Sequence, residues 1–123
     1  MQTPDSILGE AALVILCIAV IGGAVTAYMR LTDKNISFDT GLLHGRAGVI
    51  GTILLIFSFV IGNETGESLK LAIGLLVLTV LGGVALYFII RRKGILPKSI
   101  IFLHGVFAVT AVYTVLFGFP FQI

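Results

Sequence analysis

Charge is what this sequence has least of. Asp, Glu, Lys and Arg make up 11% of its 123 residues, against about a quarter in ordinary soluble domains. Too few polar side chains remain to cover a water-facing surface. With 58% hydrophobic residues and a mean hydropathy of +1.14, the composition is that of an integral membrane protein. The net charge of +2 and the lack of a basic, aromatic-interleaved polar stretch leave no case for a nucleic-acid partner. The one cysteine, Cys17, excludes an intrachain disulfide. Tryptophan is absent, so any interfacial aromatic belt has to come from Tyr and Phe. Carboxylates approach the apolar runs only at their edges, as Glu10 and Asp39, which leaves a proton or ion relay through the bilayer without residues. Metal-ligand Cys/His spacing, a phosphate loop and a nucleophile–base pair are all missing.

What is present is four long apolar runs. Met1–Gly9 is short and polar, without the basic n-region or cleavage site of a signal peptide. The runs extend from Glu10 to Met29, about Gly41 to Ile61, Leu69 to Ile90 and Ser99 to Phe117. Each has roughly the twenty residues that cross about 30 Å of hydrocarbon. Between them lie a polar connector (30–40), an acidic turn (62–68) and a basic connector (91–98). Pro97 suits a helix start and Pro120 a helix stop. Runs this continuous, without period-2 alternation, exclude a β-barrel, and backbone groups in lipid must satisfy themselves. The expected fold is an all-α bundle of four transmembrane helices in a single domain over 1–123. Arg30, Lys34, Arg46, Arg91, Arg92, Lys93 and Lys98 lie on one side and only Lys70 on the other. That asymmetry puts loops 30–40 and 91–98 in the cytoplasm and both termini outside; the expected location is a bacterial inner (plasma) membrane.

A shift of sixty residues aligns the first half on the second without a gap. It matches Gly22-Gly23 with Gly82-Gly83, and Leu43-His44-Gly45 with Leu103-His104-Gly105. His44 and His104 are the only histidines. Two parallel hairpin repeats, about 8–62 and 68–122, would be related by a pseudo-two-fold axis along the membrane normal. With Asp39 and Ser99 as N-caps, both histidines lie about 7–8 Å inside their helices. The glycine pairs lie about 11 Å below the same interface. If the second and fourth helices face each other, two imidazoles converge on the axis, and the missing side chains open space on the flanking helices.

Two opposed imidazoles with room for something flat between them suit a bis-histidine haem b. Gly22, Gly23, Gly82 and Gly83 would let the porphyrin approach the backbone. Arg46, Arg91–Lys93 and Lys98 would lie toward its propionates, and Phe57, Phe102 and Phe107 would supply aromatic walls. Six-coordinate iron would have no open position, leaving outer-sphere electron transfer. Plainer roles exist for each feature. Lone histidines often make interhelical hydrogen bonds, and small residues, including Gly45, Gly48 and Gly51, pack helices closely. Arg46 reads as a snorkelling interface residue, Arg91–Lys93 as a topology signal, and Tyr28, Tyr87 and Tyr113 as packing or belt residues.

In its architecture and in the positions of Leu43-His44-Gly45 and Leu103-His104-Gly105, the chain resembles membrane b-type cytochromes, the four-helix bundles with haem between facing helices. It departs from the cytochrome b561 type, which carries two haems and four ligating histidines. The resemblance implies one haem on the cytoplasmic half, and an electron carrier or small subunit of a larger redox complex rather than a stand-alone enzyme. A quinone or another membrane subunit would complete the electron path, with lipid and a homo-oligomer as further partners. Two alternatives stand: a non-catalytic subunit of a membrane complex, and a chlorophyll protein with one tetrapyrrole per histidine.

Overall fold

The computed structural model describes residues 7–34, 38–62, 67–94 and 97–117. They form four α-helices: α1 (Ile7–Leu31), α2 (Phe38–Ile61), α3 (Glu67–Phe88) and α4 (Lys98–Phe117). All four are long and apolar enough to cross a membrane. The chemistry of the runs explains the helices: Leu, Ile, Val and Ala positions follow one another with no proline inside any helix. The helices reach beyond the apolar runs, because chain ends that are polar still continue a hydrogen-bonded ladder. α1 begins three residues before Glu10, and α2 and α4 each begin one residue before the expected caps. Asp39 and Ser99 are therefore inside their helices rather than capping them, and the side chain of Asp39 lies outside the described residues.

The basic connector is shorter than the charge pattern suggests. Ile89–Lys93 continues α3 as a π-helical turn, which stops at Gly94 in the left-handed conformation (φ 63°). α1 has no such turn and runs into Asp33, also left-handed (φ 58°). A left-handed residue ends a helix by turning its amide back onto a late carbonyl. These two residues are 61 apart, one more than the sixty that separates the starts of α1 and α3. A π turn accommodates one extra residue within a helix, so it absorbs this insertion. The register returns to sixty at the starts of α2 and α4.

The helices pack as a square. α1 lies against α2 and α4, and α3 against α4 and α2, while the diagonal pairs α1/α3 and α2/α4 make no backbone approach among the described residues. The buried positions of α1 are Gly9, Ala12, Leu16, Ala19 and Thr26. Those of α3 are Leu69, Ala72, Leu76, Thr79 and Leu86, each sixty residues on. Gly51, Thr52 and Leu55 of α2 are likewise matched by Ala111, Val112 and Val115 of α4. The hydrophobic core gathers Ala12, Leu16, Leu55, Ala72, Leu76, Ala111 and Val115. These come from the first halves of α1 and α3 and the second halves of α2 and α4, so the core occupies one end of the bundle. Both histidines are at the other end.

Outside the core the surface is apolar. Ile21, Leu43, Ile61 and Phe102 are each more than 60% exposed, unlike the surface of a soluble monomer. Buried hydroxyls turn inward on their own helices: Thr26 donates to the Gly22 carbonyl, Thr52 to Gly48, Thr79 to Leu75 and Thr114 to Thr110, all at 2.7–2.8 Å. These four threonines are satisfied within their own helices. One ion pair joins the two connectors at the histidine end, Lys98 to Asp33 at 2.8 Å; exposed as it is, it contributes little.

Packing rather than polarity holds the core end together. Leu55→Ala, which empties a fully buried site, is expected to lower stability by about 2–5 kcal/mol. Val60→Ala, on the exposed face of the same helix, should change it by less than about 0.5 kcal/mol. Thermal unfolding of the two variants in detergent measures both.

Candidate functional site

The square arrangement places α2 and α4 across a diagonal, and His44 and His104 bridge it. Their ring centroids are 6.2 Å apart and their planes nearly perpendicular, at 85°. Each histidine is six residues into its helix, about 9 Å from the helix start. Helix backbones that make no approach to each other elsewhere are connected here by two imidazoles.

Each ring reaches the centre by lying on a neighbouring glycine. A Cβ added at Gly23 of α1 would stand 2.6 Å from Cε1 of His44 and 3.0 Å from its Nδ1. A Cβ at Gly83 of α3 would stand 3.2 Å from Cε1 of His104, and one at Gly82 would stand 3.5 Å from its Nδ1. The second glycine of each pair is thus filled by an imidazole, which corrects the expectation that the pairs are open space for a flat group. The open positions are different ones. Nothing lies within 4 Å of a Cβ at Gly22, or at Gly48, one turn from His44 on the same face of α2. Both are half-buried.

Both rings turn toward a backbone carbonyl of the adjacent helix. Nδ1 of His44 is 2.8 Å from the carbonyl oxygen of Ala19. A carbonyl can only accept, so Nδ1 carries the proton and, in the neutral ring, Nε2 has the free lone pair. This is the second-shell bond that orients a metal-ligating histidine. The equivalent carbonyl for His104 is that of Thr79. The ring of His104 interacts with that carbonyl by a weaker bond than His44 makes to Ala19.

Among the described residues, no three His, Cys, Asp or Glu side chains gather as a metal site. Two imidazoles alone are a sparse ligand set for a bare ion. They are a full axial set for an iron already held by a macrocycle.

The expected surroundings need several corrections. Arg46 points outward and is exposed. The cation beside the site is Arg30 of α1, whose Nη2 lies 3.3 Å from the Cβ position of Gly41, one turn from His44 toward the start of α2. Charge in the sequence marks both arginines equally, and only the helix rotation separates them. Phe57, Phe102 and Phe107 are exposed at 54%, 66% and 36% and wall nothing. Arg91 and Arg92 are turned onto the rings of Tyr87 and Phe88, at 6.0 and 5.0 Å. Of the glycine stripe on α2, only Gly51 packs closely, its Cβ position 2.8 Å from Leu16 Cγ, while Gly45 and Gly48 meet nothing. An apolar groove between α2 and α3, about 110 Å³ in volume, is lined by Val49, Thr52, Ile53, Val77, Val80 and Leu81. Leu81 immediately precedes Gly82-Gly83, so the groove adjoins the histidine level.

Comparison with protein-family models, with curated proteins and with solved structures finds no match for this chain. Function has to be argued from the site.

The glycine contacts generate a sharp contrast between adjacent residues. Gly23→Ala drives a methyl group into His44 and is expected to cost about 1–3 kcal/mol. Gly22→Ala enters open space and should be neutral or stabilising by up to about 1 kcal/mol, as for alanine replacing glycine inside a helix. Thermal unfolding of the two variants in one detergent measures the difference; equal losses would remove the imidazole–glycine contact from the account.

Proposed function

We propose that this chain is a membrane-spanning electron carrier of the b-type cytochrome kind, with His44 and His104 as the axial ligands of one haem b. The observation that carries this is the diagonal pair: the only two histidines of the chain, on helices that do not otherwise meet, with centroids 6.2 Å apart. Imidazole–metal bonds are about 2 Å long. With about 1 Å from each centroid to its ligating nitrogen, two rings on one iron have centroids roughly 6 Å apart.

The fit extends to the surroundings. The Ala19 carbonyl leaves the lone pair of His44 on Nε2, the nitrogen farther from its own helix. A side chain at Gly22 or Gly48 would meet nothing, and the α2–α3 groove reaches Leu81, the residue before Gly82-Gly83. The core is concentrated at the opposite end, so the histidine end is the part of the bundle with the least to lose by admitting a flat group. Bound haem supplies a one-electron redox couple. The chain's residues hold and orient it: His44 and His104 by coordination, Gly23 and Gly83 by giving the rings their seats, and Arg30 by offering a cation near His44 to a carboxylate group of the macrocycle.

In this account the two hairpins are parallel repeats about an axis along the membrane normal. The equivalence of buried positions at sixty residues supports that. The lysine and arginine count supports cytoplasmic connectors and external termini. A haem in the cytoplasmic half reaches only part of the way across a bilayer. The partner is therefore a quinone or another redox subunit, and the chain serves as a small subunit of a larger complex.

One other function has an observation in its favour. The imidazoles fill the glycine notches and make an edge-to-face contact with each other, as packing pieces of a non-catalytic membrane subunit would.

Visible spectra distinguish the two. Protein purified in detergent should show sharp α and Soret bands of low-spin haem on dithionite reduction. His44→Ala and His104→Ala should each abolish the low-spin form. A colourless protein with intact helical content would contradict haem binding. Orientation has its own check. In a Cys17→Ala background, a cysteine at position 36 should be shielded from an impermeant thiol reagent added to intact cells, and one at position 65 should react. The reverse pattern would invert the topology.

A further inference from the structure

The face between α2 and α3 carries chemistry of its own, apart from the histidines. We infer that this face binds one anionic phospholipid, its phosphate held between Arg46 and Arg92 and an acyl chain lying in the groove. The groove is lined by Val49, Thr52, Ile53, Val77, Val80 and Leu81. Its one hydroxyl, that of Thr52, already gives its proton to the Gly48 carbonyl at 2.8 Å. The lining therefore offers no free donor to a polar head group, and what it suits is hydrocarbon.

The apolar surface continues beyond the groove. On α3, Val77, Leu81, Val84 and Phe88 follow one another at helical spacing along one face, and all four are exposed. Arg92 closes this stripe, its guanidinium over the Phe88 ring at 5.0 Å. On α2, Arg46 is exposed and stands three residues before Val49 and seven before Ile53, on the groove side of that helix. The two arginines approach one level from opposite directions, because helical side chains lean toward their own N-terminus. α2 begins at the histidine end. Arg46, eight residues after Phe38 and so about 12 Å inside the helix, leans outward along its apolar stem. α3 ends there, so Arg92 leans back over Phe88 toward the groove. A ring contact uses the face of a guanidinium and leaves the N–H groups of its edge to donate to a phosphate. A cationic head site thus stands above a hydrocarbon slot, matching an anionic phospholipid in charge and shape.

The sixty-residue repeat supplies a control inside the molecule, because the equivalent interface between α4 and α1 differs in each part. Arg46 is matched by Val106, and Arg92 by Thr32, or by Leu31 when the inserted residue of the π turn is counted. Ile53 is matched by Tyr113, whose ring lies 5.1 Å from that of Phe117. Two cations and a groove coincide between α2 and α3, and neither cation recurs at the equivalent positions.

Native mass spectrometry of the full-length protein in detergent tests this, with phosphatidylglycerol or phosphatidylcholine of the same acyl chains added. One phosphatidylglycerol is expected to stay bound in preference to phosphatidylcholine. Arg46→Gln and Arg92→Gln, both at exposed positions, are each expected to weaken that retention about 5-fold, as for one basic residue near an anionic membrane surface. Lys34→Gln removes a cation that follows α1, at the same end of the bundle but away from the groove, and is expected to leave retention unchanged. Ile53→Tyr gives the groove the side chain of its repeat equivalent and is expected to weaken retention with both arginines in place. Equal retention of the two lipids overturns the head site. Equal losses in Lys34→Gln and Arg46→Gln overturn it too, leaving only diffuse attraction to a basic end. Displacement of the lipid by glycerol phosphate at equal concentration, or unchanged retention in Ile53→Tyr with its helical content intact, overturns the seat of the acyl chain.

Discussion

The seating of an imidazole on a glycine is the contact on which the functional end of this bundle depends. A ring that must reach the centre of a four-helix square needs the volume that a side chain of the adjacent helix would take. α1 yields it at Gly23 and α3 at Gly83. Once the rings are admitted, the diagonal helices α2 and α4 are linked through their side chains although their backbones stay apart. The small residues here act less as helix-to-helix contacts than as receptors for one aromatic ring each, whereas Gly51 against Leu16 serves the more usual purpose of close helix packing.

The rest of the bundle is arranged to tolerate that. Its core is gathered at the end away from the histidines, where Ala12, Ala72 and Ala111 permit close approach and Leu16, Leu55 and Leu76 fill the space between. Stability and the candidate site are thereby separated along the helix axis. A change at the histidine end perturbs few core contacts, and the buried residues of the core are apolar. Such a division suits a protein that holds a large flat group, since the group's slot need not be part of the frame that keeps the helices together.

Much of this was legible in the residues. The four helices follow from unbroken apolar runs. The sixty-residue offset predicts that His44 and His104 share a level and that the glycine pairs share it with them, and the contacts of Gly23 and Gly83 agree. Rotation about each helix axis was not legible. A helix that is apolar all round has no polar face to show which side turns inward. For that reason Phe57, Phe102 and Phe107 were expected around the site and lie outside it, and Arg46 was expected where Arg30 is found. The π turn at Ile89–Lys93 left one trace, the 61-residue spacing of Asp33 and Gly94, which has meaning only once both are known to end helices.

The central claim is that two histidines from opposite corners of the square share one macrocycle. The haem content of the purified protein, measured as the pyridine haemochrome against protein concentration, tests it most directly. One haem b per chain is predicted. Two per chain would mean that each histidine holds its own, and none, in protein recovered from haem-replete cells with its helices intact, would contradict the account.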